Sequence, residues 1–250
     1  MKTLKTIFAI SILSLFTFSC SKDDAQANPV PNPELTTTDL NYSNGNLSTG
    51  VTATDGTVAP TGYSWSEIEP TNDYTGFIAT DNFFLADDFI IPAGEKWSIN
   101  KFIFFAHQTD YTGANTPFNE VKYEIYTSNP SAAGAAKVFG DFTTNKYATS
   151  EDAKIFRLFN ATANFKRKIY KITASATDLV LMPGTYWIKW QTKTITLALH
   201  FHPSNTIKGT AGVSTNNSLI QEAGIWKINY NGTGNKVDFP FGIVGTKSKI

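Results

Sequence analysis

Short apolar runs separated by turn residues fill this 250-residue chain from about residue 39 onward. Residues 121–126 alternate strictly, so Val121, Tyr123 and Ile125 share one face, which is the period of a half-buried strand. Asp-Gly, Asn-Gly and Pro-Gly pairs mark turns between the runs, and no window of about eleven residues keeps a helical period. The pattern predicts an all-β fold, an antiparallel two-sheet β-sandwich with a jelly-roll-like arrangement.

The apolar runs are rich in Val, Ile, Thr and aromatic residues, which fit a pleated, half-buried surface. Charged residues make up 17% of the chain, below the roughly 25% of an average soluble domain. Asn44-Gly45-Asn46 predicts a hairpin turn between two short strands. Further strands are predicted at residues 83–91, 97–106, 121–126, 167–174, 178–182, 185–193, 195–202, 226–230 and 237–244.

The charge balance bears on possible partners. The formal net charge is zero, and Lys2 and Lys5 are the charged residues of positions 1–19, so the remainder is slightly acidic. Since no basic patch is visible, we do not expect nucleic acid as a partner. Cys20 is the one cysteine, which excludes an intramolecular disulfide, and a domain of this size has enough core to fold without one.

The N-terminus has the features of an export signal. Two lysines precede an apolar stretch at residues 7–18, which is too short to span a bilayer and suits a secretory signal peptide at residues 1–19. Ser19 then precedes Cys20. This arrangement resembles the bacterial lipoprotein signal, with Thr17 standing where Leu is usual. The resemblance implies cleavage before Cys20, lipid attachment to the Cys20 thiol, and membrane association through that lipid.

The residues after Cys20 carry a second resemblance. Ser21-Lys22-Asp23-Asp24 is similar to the surface-export signal of Bacteroidota lipoproteins, which implies an outer-membrane protein that faces the cell exterior. Residues 20–38 contain alternating prolines, which favour an extended tether over a packed element. We therefore expect a signal peptide at 1–19, a lipidated tether at 20–38 and one β-sandwich domain at 39–250.

Several landmarks of the domain resemble a recurring module of secreted bacterial proteins whose function is unassigned. The resemblance implies one exported β-sandwich and supplies no activity. The landmarks are Leu85-Ala86-Asp87-Asp88-Phe89, Pro92-Ala93-Gly94 with Trp97, Val138-Phe139-Gly140-Asp141, Pro183-Gly184-Thr185-Tyr186-Trp187 and Asp238-Phe239-Pro240-Phe241.

Catalytic motifs are missing from the sequence. Neither a Gly-x-Ser-x-Gly elbow nor a His-Glu-x-x-His motif occurs. Glu67 and Glu69 have the alternate spacing with which two carboxylates on one strand reach the same sugar. Pro70 follows directly, however, and we expect a solvated strand end there. We predict no catalytic residue.

Asp87 and Asp88 are candidate metal ligands. If Leu85 and Phe89 face the core, Asp87 points inward with them, and a buried carboxylate must accept hydrogen bonds or bind a cation. One interpretation is a structural Ca²⁺ site completed by backbone carbonyls. The other is an Asp at a bulge that binds backbone N–H groups. We favour the second, since no Asp-x-Asp loop accompanies the pair.

Two histidines have a spacing that could hold a metal. His200 and His202 alternate with Ile195, Leu197, Leu199 and Phe201 in the predicted strand at 195–202, so they share one face about 7 Å apart. A catalytic zinc would need a third protein ligand, and nothing in the sequence places His107 nearby. We therefore expect two exposed polar residues opposite an apolar face.

The aromatic residues give the main functional indication. In residues 186–193, Lys189 and Gln191 mark the wet face of a strand, which puts Trp187 outside with them, and Tyr126 is outside on its own strand. An exposed Trp among hydrogen-bonding side chains can stack on a sugar ring. The alternative is a Trp that covers an edge or a neighbouring loop.

Together these features predict a non-catalytic cell-surface module that binds extracellular glycan or a surface protein through Trp187, Lys189, Gln191 and Tyr126. Two other classes stay open. A polysaccharide hydrolase or lyase would show convergent acids or a Tyr/His/Arg cluster in one deep cleft, and a structural or adhesive envelope protein would show neither a cleft nor an aromatic platform.

Overall fold

A computed structural model describes residues 37–68, 74–160, 162–205, 216–232 and 234–250. Residues 35–250 form one unit. The predictions for Cys20, the signal peptide, most of the tether and Glu69 lie outside the described residues. Within the described part of the chain, no helix has the length and apolar character needed to cross a bilayer.

Strands account for the regular structure in the described residues. In chain order they are β1 (Thr37–Ser43), β2 (Ser64–Ser66), β3 (Phe83–Ile91), β4 (Glu95–His107), β5 (Phe118–Tyr126), β6 (Lys137–Asp141), β7 (Tyr147–Arg157), β8 (Lys168–Leu181), β9 (Gly184–Thr194), β10 (Leu219–Glu222), β11 (Ile225–Ile228) and β12 (Gly242–Lys249).

The strands form two sheets, as the sequence predicts, and each sheet has six strands. The first sheet has the order β1-β12-β4-β8-β7-β2 and the second has the order β11-β10-β3-β9-β5-β6. All neighbours are antiparallel except β2 and β7. With β8 set aside, β1-β12-β4-β7 and β3-β9-β5-β6 have the strand order of an eight-stranded jelly roll. The prediction of an all-β two-sheet sandwich is confirmed.

Large aromatic side chains fill the space between the sheets. On β9, Tyr186, Ile188 and Trp190 point inward and are buried, as alternation requires. The Trp190 ring lies 5.2 Å from Phe104 of the first sheet and 5.4 Å from Phe239, centroid to centroid. Full burial of each such side chain stabilises the fold by about 1.5–3 kcal/mol.

A β-bulge sets which residues of β4 face this core. Ile99 and Phe102 are both buried although three positions separate them, because the pairing of β4 shifts at this point. The pairing of β12 with β4 shifts opposite, at Gly245. A Cβ on Gly245 would lie 2.0 Å from the Ser98 carbonyl oxygen. The bulge therefore requires glycine at this close approach.

Four strand predictions need correction. The strand predicted at 237–244 is β12, which spans Gly242–Lys249. The turn at residues 44–46 does not join a hairpin, because β1 pairs with β12 instead. The two strands predicted at 167–174 and 178–182 are one strand, β8, which continues past its irregularity. The strand predicted at 195–202 does not form, since β9 ends at Thr194 and the chain turns.

Candidate functional site

The outer face of the second sheet brings together all four residues predicted to bind ligand. Trp187, Lys189 and Gln191 project from β9 on the side opposite the core. The register places Trp187 opposite Tyr126 of β5. Alternation along a strand thus predicts the shared face correctly. We call this surface the outer face, meaning the solvent side of β11-β10-β3-β9-β5-β6.

The prediction that Trp187 is exposed is wrong. Its side chain is 6% exposed and packs against Ala86 and Leu219, with Tyr126 and Trp226 covering it. The cause is the extension of the sheet beyond β3, because β10 and β11 carry Leu219 and Trp226 over the indole. Trp187 therefore forms the buried floor of a small aromatic cluster on the outer face.

Gln191 is also buried, contrary to the prediction of a wet position. Its Nε2 donates a hydrogen bond to the backbone oxygen of Asp81, 3.0 Å away. That bond joins β9 to the turn before β3. The bond uses one of the two N–H groups of the amide and holds the side chain against that turn.

Lys189 lies among three half-buried aromatic rings, and this arrangement is the main feature of the outer face. Its Nζ lies 4.1 Å from the ring centroid of Phe84, 5.1 Å from Phe142 and 5.2 Å from Trp226. Phe84 and Phe142 meet edge to face at 4.7 Å. Burial lowers the pKa of Lys189. At these distances the ring faces attract the ammonium group.

Next to this cluster, Glu124 carries a negative charge. Its Oε1 accepts a hydrogen bond from Lys137 Nζ at 3.0 Å, and its Oε2 accepts one from the Tyr126 hydroxyl at 2.5 Å. Burial, followed by the hydrogen bond to Glu124, raises the pKa of Tyr126. Tyr126 therefore remains a neutral donor whose ring position is fixed by the carboxylate.

Asp87 points inward, as predicted, and binds the chain itself. It accepts hydrogen bonds from the backbone N–H of Phe239 at 2.7 Å, from that of Asp88 at 2.8 Å and from Asn44 Nδ2 at 3.0 Å. Burial, then the nearby Asp238, raises its pKa well above the usual range. This is the hydrogen-bonded arrangement that we favoured for Asp87, and it ties β3 to the segment before β12. Among the residues with described positions, no group of three or more His, Cys, Asp or Glu could hold a metal ion.

The expectation of a solvated strand end at Glu67 is also wrong. Glu67 is 4% exposed, and its Oε1 accepts a hydrogen bond from the backbone N–H of Thr54 at 3.1 Å. The carboxylate therefore connects the segment after β2 to the loop that precedes it. This hydrogen bond fixes the position of the Glu67 side chain.

The histidines lie inside the sandwich, which reverses the prediction for them. His200 and His202 are 1% and 2% exposed, and both rings hydrogen-bond the Thr192 hydroxyl, at 2.7 and 2.9 Å. The predicted core residues of the same run point outward, because the chain turns after β9. The outward residues are Ile195, Leu197 and Leu199.

His107 lies at the same end of the interior, a position that no sequence pattern indicates. It is fully buried, and its ring stacks on Phe201 at 5.7 Å. Burial lowers the pKa of His107 to about 3 and also lowers the pKa values of the other two. We call His107, His200 and His202 the histidine cluster, and all three are neutral at physiological pH.

Arg157 is a buried charge that the sequence analysis missed. Its Nη1 donates to Ser66 Oγ at 2.9 Å and its Nη2 to Ser204 Oγ at 3.3 Å, while Nε has no partner. Burial lowers its pKa to about 10, so it remains charged. An Arg within the apolar run Ile155-Phe156-Arg157-Leu158 was the available signal.

Arg157 and the histidine cluster have side chains of the kinds that a polysaccharide lyase would use. Every one of them is at most 2% exposed. A polymeric substrate therefore has no contact with their reactive atoms in this structure.

Family models, curated proteins and solved structures yield no match to this chain.

Proposed function

We propose that this chain is a lipid-anchored, non-catalytic module that binds extracellular glycan through the outer face. The observation that carries the proposal is the set of three half-buried rings around Lys189 Nζ, on the solvent side of a sheet. Sugars present apolar ring faces together with hydroxyl groups, and aromatic surfaces beside hydrogen-bonding side chains match both.

Within this proposal, Trp226 takes the role first assigned to Trp187. Trp226 lies at the surface of the aromatic cluster, whereas Trp187 lies beneath it. Trp is among the residue types that contribute most to binding interfaces. Trp187 packs in the same cluster, while Lys189 and Tyr126 supply polar groups.

The cellular setting is part of the proposal and rests on the N-terminal sequence. The lipoprotein resemblance at Cys20 supports attachment to a membrane through a lipid, and Ser21-Lys22-Asp23-Asp24 supports exposure at the cell exterior. Extracellular glycan is then the accessible ligand class. The neutral net charge supports partners other than nucleic acid.

A glycan array tests this function, with the Cys20→Ala chain expressed without lipid as the probe. We expect binding to at least one glycan class, and loss of that binding in Trp226→Ala. Phe165→Ala is the matched control, because Phe165 is 56% exposed and stacks on Trp65 of the first sheet. Retained binding in Trp226→Ala would refute the outer face as the site, and a blank array would refute the glycan function.

A further inference from the structure

Lys189 differs from the other lysines of the outer face because its ammonium group forms no ion pair within the described part of the chain. Lys122 and Lys193 both form ion pairs with Glu120 Oε1, at 3.0 and 3.8 Å. Lys137 forms one with Glu124. Among the described residues, no carboxylate oxygen lies within the 4.0 Å of an ion pair from Lys189 Nζ. Glu124 lies opposite Lys189 in the register, but its two oxygens already accept hydrogen bonds from Lys137 and Tyr126. The Lys189 ammonium is therefore left without a direct ion-pair partner among these residues.

The three rings hold this charge without satisfying it. An ammonium group has three N–H donors, and the ring faces attract the cation but offer no carboxylate or carbonyl oxygen. The rings also exclude water from part of the group, which strengthens its interaction with an added anion. Because the rings restrict the side chain before any ligand arrives, less conformational entropy is lost on binding.

We propose that the ligand of the outer face is an acidic glycan, in which a uronate carboxylate binds the Lys189 ammonium while a sugar ring stacks on Trp226. This inference rests on the proposed glycan-binding function and adds the charge of the ligand. The 5.2 Å between Lys189 Nζ and the Trp226 ring is short enough for one uronic acid to reach both. A carboxylate bound to an ammonium is among the stronger hydrogen-bonded pairs.

Calorimetric titration of the Cys20→Ala chain with polygalacturonate, alginate and methyl-esterified polygalacturonate tests the inference. The ester keeps the sugar and removes its charge. We expect an acidic polymer to bind about tenfold or more tightly than the ester. Lys189→Met should lower the affinity for the acidic polymer to that for the ester, and raising the salt concentration should weaken only the wild-type interaction.

Lys193→Met is the matched control, because Lys193 lies on the same strand and face, while Glu120 keeps Lys122 as a partner. It should retain the preference for the acidic polymer. Equal affinity for the acid and the ester, or equal loss of preference in both variants, would overturn the acidic-glycan inference. If neutral dextran binds through Trp226 without any preference for acid, only this inference fails. If no polymer binds, the proposed function fails as well.

Discussion

Truncation of Trp187 tests whether the small cluster on the outer face is packed tightly enough to contribute to the free energy of unfolding. The side chain is 6% exposed and contacts Ala86, Leu219, Tyr126 and Trp226. Removing a buried aromatic side chain costs about 3–5 kcal/mol. Trp187 lies in a small cluster with neighbours that can collapse, so we expect Trp187→Ala to lower the free energy of unfolding by about 3 kcal/mol, at the low end of that range.

Two variants calibrate this value. Trp190→Ala removes a ring of the main core that contacts Phe104 and Phe239, and it should cost about 5 kcal/mol. Trp226→Ala removes a half-buried ring and should cost about 1 kcal/mol. Urea titrations with a shared m-value measure the loss in free energy of unfolding for all three variants. A loss for Trp187→Ala no greater than that for Trp226→Ala would show that Trp187 is not the floor of the cluster, and the reasoning would be refuted.

Three further outcomes are expected. The histidine cluster stays neutral in the folded state, whereas each of its histidines has a pKa near 6.5 when unfolded. The free energy of unfolding should therefore fall as the pH drops below about 6.5, by less than about 4 kcal/mol per pH unit, because the raised pKa of Asp87 acts in the opposite direction. A urea series from pH 7.5 to 5.5 that shows rising stability would contradict this. Arg157→Met should leave stability unchanged or raise it, since it removes a buried charge that has only neutral partners, and a loss above about 2 kcal/mol in the same assay would show that the guanidinium is needed. Cys20→Ala should abolish acylation and move the protein out of the membrane fraction, whereas wild-type protein without lipid by mass spectrometry would rule out the anchor.

Local pattern was sufficient for some parts of the fold and not for others. The strand predicted at residues 83–91 has the bounds of β3, because a turn precedes it and Pro92 ends it. The strand predicted at 195–202 failed although its alternation is real. Leu197 adopts a left-handed backbone conformation in the turn after β9, and a period of two cannot show which side is buried once the strand has ended. β7 was missed because its polar sequence lacks that period.

The candidate site shows the same limit more sharply. Alternation placed Trp187 on the correct face, but its burial depends on Leu219 and Trp226, which belong to strands formed later in the chain. The rings around Lys189 come from positions 84, 142 and 226, on three different parts of the sheet. Only the order of strands in the sheet brings these residues together, and the local hydrophobic pattern of the sequence does not show that order.

The edge position of β1 determines how the domain responds to mechanical load. Among the described strands, β1 pairs with β12 alone, and its first residue, Thr37, lies opposite Ser248. A pull on Thr37 away from the first sheet breaks this ladder one residue pair at a time, and the pairing of β12 with β4 is not involved. Detaching the seven residues of β1 releases about 20 Å of chain. The Tyr42 ring, which packs 5.7 Å from Trp97, leaves its neighbours near the end of this release. A force applied at Thr37 therefore releases β1 before it can open the sheet that carries the aromatic cluster.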